Sequence, residues 1–519
     1  MAAASLSSCA DETKGPLAIT IDLVTPEGME PFAGVSFVRL SVEAGGETLV
    51  EPKKSNFDAQ GGSVSLDGIP FGEDRQIVVE GWSESATGDL GTLLSRGRSA
   101  PVDVSQGDSV VDLEVLVAPV NTFIPLTSKL DSTPQSLAQG RVGHTVTKTP
   151  RGEIVIVGGG ILVSETSPWW DPASAEPSFA TYHNSVEVLD ETLQHVSLHP
   201  NGMYFGRAWH SATSLPTGQV FLAGGYTNLN GVEQALKRVE VYHPGLTNPI
   251  DVIKFDMQVP RWGHTATLVD EDSFTLLFVG GDAAGSGQGT YELWNPYVGT
   301  INFGELPDAT LRRHHQATLF EVPDRGPAVL ISGGESAVST LDTMLVYDIL
   351  TNTMLVNPGK LSAPRVQHAS VWVPGRNFIY LAGGFTNKTR TAVSNAIDVY
   401  DTGKDTVQAM PGFNLKTPRG GHAAARAFGN SVVFTGGTGQ GSQALSSLEV
   451  IYEYLDTDQG SYRIEVAESN GEGAAGIPFI PSARTGSRSV FTDGGMILTL
   501  GGVGSGAVLP TDVLLYNPF

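Results

Sequence analysis

Six histidines stand three residues after an arginine: His144, His210, His264, His315, His368 and His422 follow Arg141, Arg207, Arg261, Arg312, Arg365 and Arg419. A seventh arginine, Arg484, is followed at that spacing by Ser487. Imidazole serves as a metal ligand or a proton acceptor, so six of them invite a metal centre or acid–base chemistry. Each, however, recurs at the same place in a repeated segment, and such recurrence marks architecture. The histidines are expected to hydrogen-bond backbone within or between repeats. The arginines are expected to satisfy carbonyls at the start of each repeat through their several donors. The sequence contains no HExxH, no paired-carboxylate signature and no serine elbow in a matching context. No metal, no cofactor and no catalytic residue is therefore expected, although carboxylates from distant segments could still meet in space.

The segments that carry these residues define a repeat. They read "RVGHTVTKTPRGEIVIVGG" from Arg141, "RAWHSATSLPTGQVFLAGG" from Arg207, "RWGHTATLVDEDSFTLLFVGG" from Arg261 and "RRHHQATLFEVPDRGPAVLISGG" from Arg312. Three more follow: "RVQHASVWVPGRNFIYLAGG", "RGGHAAARAFGNSVVFTGG" and "RTGSRSVFTDGGMILTLGG" from Arg365, Arg419 and Arg484. The arginines are spaced by 66, 54, 51, 53, 54 and 65 residues. After each glycine pair comes a third apolar stretch, from "SVEVLD" in the first copy to "DVLLYNP" in the last.

The first stretch of each copy is rich in Ala, Ser and Thr, as strands converging on a narrow axis require. The second is apolar on both faces, as suits a strand packed between neighbours. The glycine pairs invite comparison with a phosphate loop, but such a loop occurs once and opens a helix. These occur seven times before loops, and are read as places of close backbone approach.

The ordered Arg, His, Gly-Gly and Val-x-Val-Tyr-like elements resemble the kelch family, over about 400 residues. The resemblance implies a seven-bladed β-propeller, one four-stranded blade per repeat. The last copy stops after its third strand, so "VNTFIPL", residues 120–126, is expected to complete the final blade and close the ring. Galactose oxidases share a sandwich-then-kelch arrangement, but their copper radical centre needs a Tyr cross-linked to a Cys. The only cysteine here is Cys9, which excludes that mechanism.

In kelch propellers that recognise partners, the connections between strands two and three and those entering strand one share a face. Candidate ligand contacts on it are Trp169 and Trp170 in the longest loop, and Trp209, Trp262, Arg313, His314 and Gln367 within the Arg motifs. Other copies often carry Gly at the latter positions. The indole pair has the shape to stack on a sugar or a peptide side chain.

Ahead of the repeats, residues 16–117 read as short strands between Pro-, Gly- and Asp-rich turns, a pattern similar to immunoglobulin-like or transthyretin-like β-sandwiches. Residues 1–15 read as a tether in which Leu6-Ser7-Ser8-Cys9 resembles a truncated lipobox, making Cys9 a candidate for lipidation. No apolar stretch approaches the ~18–20 residues of a membrane span. The net charge is −24, with 19 acidic and 7 basic side chains in residues 1–120. No basic stripe is present, which argues against nucleic acid as a partner.

The expectation is an all-β chain: an N-terminal β-sandwich followed by a seven-bladed kelch propeller over residues 118–519. It is read as a monomeric, non-catalytic, extracytoplasmic protein of the cell envelope, or a secreted one, that binds a protein or glycan ligand. The alternatives are a carbohydrate-active enzyme with its site at the channel mouth, and a structural component of a surface complex.

Overall fold

A computed structural model describes residues 18–26, 28–44, 47–56, 63–67, 69–105, 110–128, 133–162, 179–193, 195–282, 289–307, 311–322, 326–456, 461–469 and 477–518. The chain divides into two compact units at Val120.

The first unit contains β1 (Ala18–Val24), β2 (Phe37–Ala44), β3 (Glu47–Asn56), β4 (Ser63–Asp67), β5 (Gly72–Glu84), β6 (Leu90–Arg98), β7 (Val102–Val104) and β8 (Val110–Pro119). They form one sheet in the order β3-β2-β5-β6-β8-β1-β4, with β7 on β5. The long strand β8 joins its halves, pairing parallel with β1 through Val110–Leu116 and antiparallel with β6 through Val117–Pro119. Ile21 of β1 and Val115 of β8 share a core with Val38, Leu40 and Val42 of β2 and Ile77 and Val79 of β5. Neither β1 nor β8 is a ladder neighbour of β2 or β5, so the sheet folds over on itself and packs as a sandwich. The sequence pattern missed β3, β6 and the short β7. Strand β3 is an edge strand carrying Pro52, Lys53 and Lys54, residues that blunt an exposed edge and hide its apolar alternation.

The second unit is a ring of seven four-stranded antiparallel sheets. Their innermost strands, from Thr145–Lys148 in blade one to Arg488–Phe491 in blade seven, each neighbour the next, and the last neighbours the first. The second strands are largely buried, and Ile154–Val157 and Val220–Ala223 are so along their whole length. Blade seven takes its outermost strand from β9 (Thr122–Pro125), which pairs antiparallel with Val513–Asn517. Tyr516 Oη donates to Asn121 Oδ1 at 3.1 Å, while the corresponding Tyr347 in blade four donates to Asn352 within its own hairpin turn. Asn121 therefore stands in for a turn residue, although the two strands it serves lie at opposite ends of the unit.

The glycine pairs are where blades touch. The amide of Gly225 donates to the carbonyl of Arg261 in the next blade at 2.8 Å. Gly224, at φ 62°, faces that carbonyl so closely that a Cβ would collide with it and with the His264 ring. Every blade junction repeats this bond from the second glycine to the next arginine, the seventh running from Gly502 to Arg141.

The repeat arginines do reach carbonyls, as Arg207 Nη1 does to Gly224 O at 3.0 Å and Arg419 Nη1 to Gly436 O at 2.7 Å. Their strongest partner, however, is an acid in the third strand of the same blade: Glu187 for Arg141, Glu240 for Arg207, Asp398 for Arg365 and Glu449 for Arg419. These pairs are buried, so removing one member leaves an uncompensated charge. Glu240→Leu should therefore cost about 3–5 kcal/mol in urea unfolding. Blade four shows the escape: Leu345 occupies the acid's place, and Arg312 Nη2 bonds Thr343 Oγ1 at 2.8 Å instead. Adding Arg238→Thr to Glu240→Leu should recover part of the loss. A double variant no more stable than the single one would contradict this account.

Candidate ligand site on the propeller axis

The Arg-x-x-His segments meet around the axis. The residue before each histidine position has left-handed backbone: Gly143, Trp209, Gly263, His314, Gln367, Gly421 and Gly486. From Trp209 onward, each of these amides donates to the carbonyl of its counterpart in the preceding blade, at 2.8–3.2 Å. The segments thus form a collar of backbone hydrogen bonds through all seven blades. Glycine suits that conformation. Trp209, His314 and Gln367 adopt it at φ 57°, 51° and 52°, at a cost on the order of 1–3 kcal/mol each.

Two of these three side chains converge over the axis. Trp209 meets His314 edge-on with ring centroids 5.0 Å apart, and Trp262 meets His314 at 5.5 Å. Arg313 lies over the Trp262 ring at 4.7 Å. It also pairs with Asp282 at 2.8 Å and Glu335 at 2.9 Å, and Arg390 reaches the other Glu335 oxygen at 2.7 Å. Two cations and two anions thus balance in a buried cluster.

The expectation that Trp262 and Arg313 face a ligand from the surface is corrected by this packing. Trp262 is 0% exposed and Arg313 2%. The indole fills the layer between blades, and the guanidinium is spent on two carboxylates. Trp209, His314 and Gln367 do line open space, the axial cavity described next. Trp169, Trp170 and Cys9 lie outside the described residues.

The cavity has a volume of about 320 Å³ and is walled by the collar and the first residues of the inner strands. No Asp or Glu is among the described residues that line it. Arg488 of blade seven lies in its wall, at the position held in the other blades by Thr145, Ser211, Thr265, Gln316, Ala369 and Ala423. This residue was missed, although the only charged side chain at that repeat position was a visible signal.

Four of the six repeat histidines bridge blades, and the partners of these four are hydroxyls. His210 Nε2 lies 3.0 Å from Thr145 Oγ1, His264 Nε2 3.0 Å from Ser211 Oγ and His315 Nε2 2.9 Å from Thr265 Oγ1. His368 Nε2 lies 2.9 Å from Ser332 Oγ. Blade five carries Ala369 where blades one to three have a hydroxyl, and neither ring nitrogen of His422 has a hydrogen-bond partner among the described residues. Burial holds all these imidazoles well below the usual histidine value, His264 and His422 down to about 3, with the nearby repeat arginines adding to the effect. They are therefore neutral near pH 7. Among the described residues, no group of three or more His, Cys, Asp or Glu side chains is placed to hold a metal ion.

No family model matches the chain, and no curated protein matches it. The seven-bladed propeller thus rests on its own strand pairing. That fold is compatible with binding.

Proposed function

We propose that this chain is a kelch-type propeller that binds a protein or glycan ligand at the centre of its loop face and performs no catalysis. The observation that carries this reading is the collar. Four blades use glycine at the left-handed position, yet three hold Trp209, His314 and Gln367 there, over an open cavity. The backbone of the collar does not need a side chain at that position, and residues kept in a costly conformation cluster at ligand clamps. Antiparallel strands bring the strand two-to-three connections and the entries to strand one to this same face, so variable loops surround the mouth. The kelch assignment is supported by the repeat residues, since Arg, His and Gly-Gly each hold an equivalent structural place in successive blades.

A glycosidase at the channel mouth would use paired carboxylates, and the described lining supplies neither. We further propose an extracytoplasmic, envelope-associated location with a lipid tether at Cys9, on the strength of the Leu6-Ser7-Ser8-Cys9 segment. Labelling of the native precursor with a palmitate analogue, compared with Cys9→Ser, tests that tether.

Gln367→Gly separates binding from folding, because glycine is what four other blades carry. The variant should keep or slightly raise the melting temperature, by relief of about 1 kcal/mol of backbone strain. On glycan and peptide arrays its signal should fall about tenfold. An undiminished signal would remove the collar from the binding site, and the array on which wild type responds decides between protein and glycan.

A further inference from the structure

We propose that the axial cavity is a site for a small molecule bearing an oxyanion, a carboxylate or a phosphate, held by Arg488. Arg488 opens the innermost strand of blade seven, and its exposed side chain lines the cavity. Among the described residues it has no hydrogen-bond or ion-pair partner, whereas each of the seven repeat arginines bonds a carbonyl, hydroxyl or carboxylate through its Nη atoms. A guanidinium that faces a cavity with no protein acceptor is free to take one from a ligand, and a carboxylate or phosphate matches its fork of donors.

The surroundings agree with an anion. No carboxylate lines the cavity, although the chain as a whole is strongly acidic. Polar side chains of consecutive blades, Gln367, His422 and Ser487, belong to the same cavity wall as Arg488. The half-buried Gln367 amide offers a polar contact for the rest of the ligand. Across the cavity, Trp209 supplies an aromatic wall. A volume of about 320 Å³ exceeds what an inorganic ion fills and suits a small organic molecule with one anionic end. The collar amides are bonded to one another, so the anion depends on side chains.

This inference uses the cavity of the proposed function and is independent of what the surrounding loops bind. The test is calorimetric titration of the whole chain with sodium benzoate and, separately, with inorganic phosphate, with benzyl alcohol as the uncharged match to benzoate. Benzoate is expected to bind and benzyl alcohol not. Arg488→Gln should weaken benzoate at least about tenfold, and Arg488→Lys, which keeps the charge and loses the fork, by less. Phosphate binding better than benzoate would assign the site to phosphate compounds, still through Arg488. Absence of binding by both anions at millimolar concentration overturns the proposal. So does anion binding that Arg488→Gln leaves unchanged. Should Arg488→Gln fail to fold, Arg488→Lys takes its place: weakened benzoate binding supports the proposal, and unchanged binding overturns it. A blank array alongside Arg488-dependent benzoate binding would reject the loop-face reading alone.

Discussion

Deleting residues 121–126 should collapse the whole propeller, with a stability loss on the order of 5 kcal/mol or more. The deletion spares β8, which ends at Pro119, and removes β9 from blade seven. It withdraws Ile124, which is 3% exposed, and the Phe123 ring lying 5.2 Å from Tyr516. It also withdraws the bonds that Asn121 makes to Tyr516 Oη and to Asn517 O. The fully buried strand Val513–Asn517 would then become an open edge, a template for aggregation. Each blade is sealed only by its neighbours, so the loss is shared around the ring. Thermal unfolding followed by tryptophan fluorescence reports it, because six of the seven tryptophans lie after residue 121. The point variant Ile124→Ala should cost about 2–4 kcal/mol. A deletion variant that melts like the parent would show that the ring closes by some other contact.

Acid should unfold the propeller well before its carboxylates are exhausted. His264 and His422 titrate near 3 in the folded protein against an ordinary value of 6.5, chiefly because burial penalises the charged ring. His144, His210, His314, His315 and His368 are displaced in the same direction for the same reason. Between pH 6.5 and 3 the unfolded chain takes up protons that the folded chain refuses. Stability is thus fully present above 6.5 and is withdrawn as pH falls, by up to about 1.4 kcal/mol per pH unit for each ring. From neutral pH to 4.5, His264 and His422 alone remove about 5 kcal/mol, comparable to the total stability of many domains. Urea midpoints measured at these two pH values should differ accordingly. His422→Ser, which copies Ser487 of blade seven, should reduce proton uptake on unfolding at pH 5 by about one. Equal midpoints at both pH values would mean that the rings are already solvated in the native state.

How much of this was legible can be judged from particular residues. The repeated glycines announced close approach, and Gly225 makes one, to Arg261 O. The small residues of "HSATSL" and "HAAARA" announced an axis, and the buried second strands announced contact on both faces. Strand β3 was not legible, because an edge strand with Pro52 and two lysines lacks the alternation of a half-buried one. The partners of the arginines were not legible either. Glu240 lies 33 residues after Arg207 and in another strand, so nothing local links them.

The sequence by itself determined the architecture, since a periodic pattern of small, apolar and glycine positions permits few ways of burying seven equivalent sheets. Only the tertiary structure decided which side chains face open space. Trp262 and Trp209 occupy neighbouring positions in equivalent motifs, yet one is sealed between blades while the other borders the cavity. Arg313 and Arg488 are both arginines beside the axis, yet one is neutralised by Asp282 and Glu335 and the other by nothing among the described residues. The physical reason is that periodicity fixes what is the same in every blade, whereas a ligand site is built from the residues that differ, and these meet only when the ring closes.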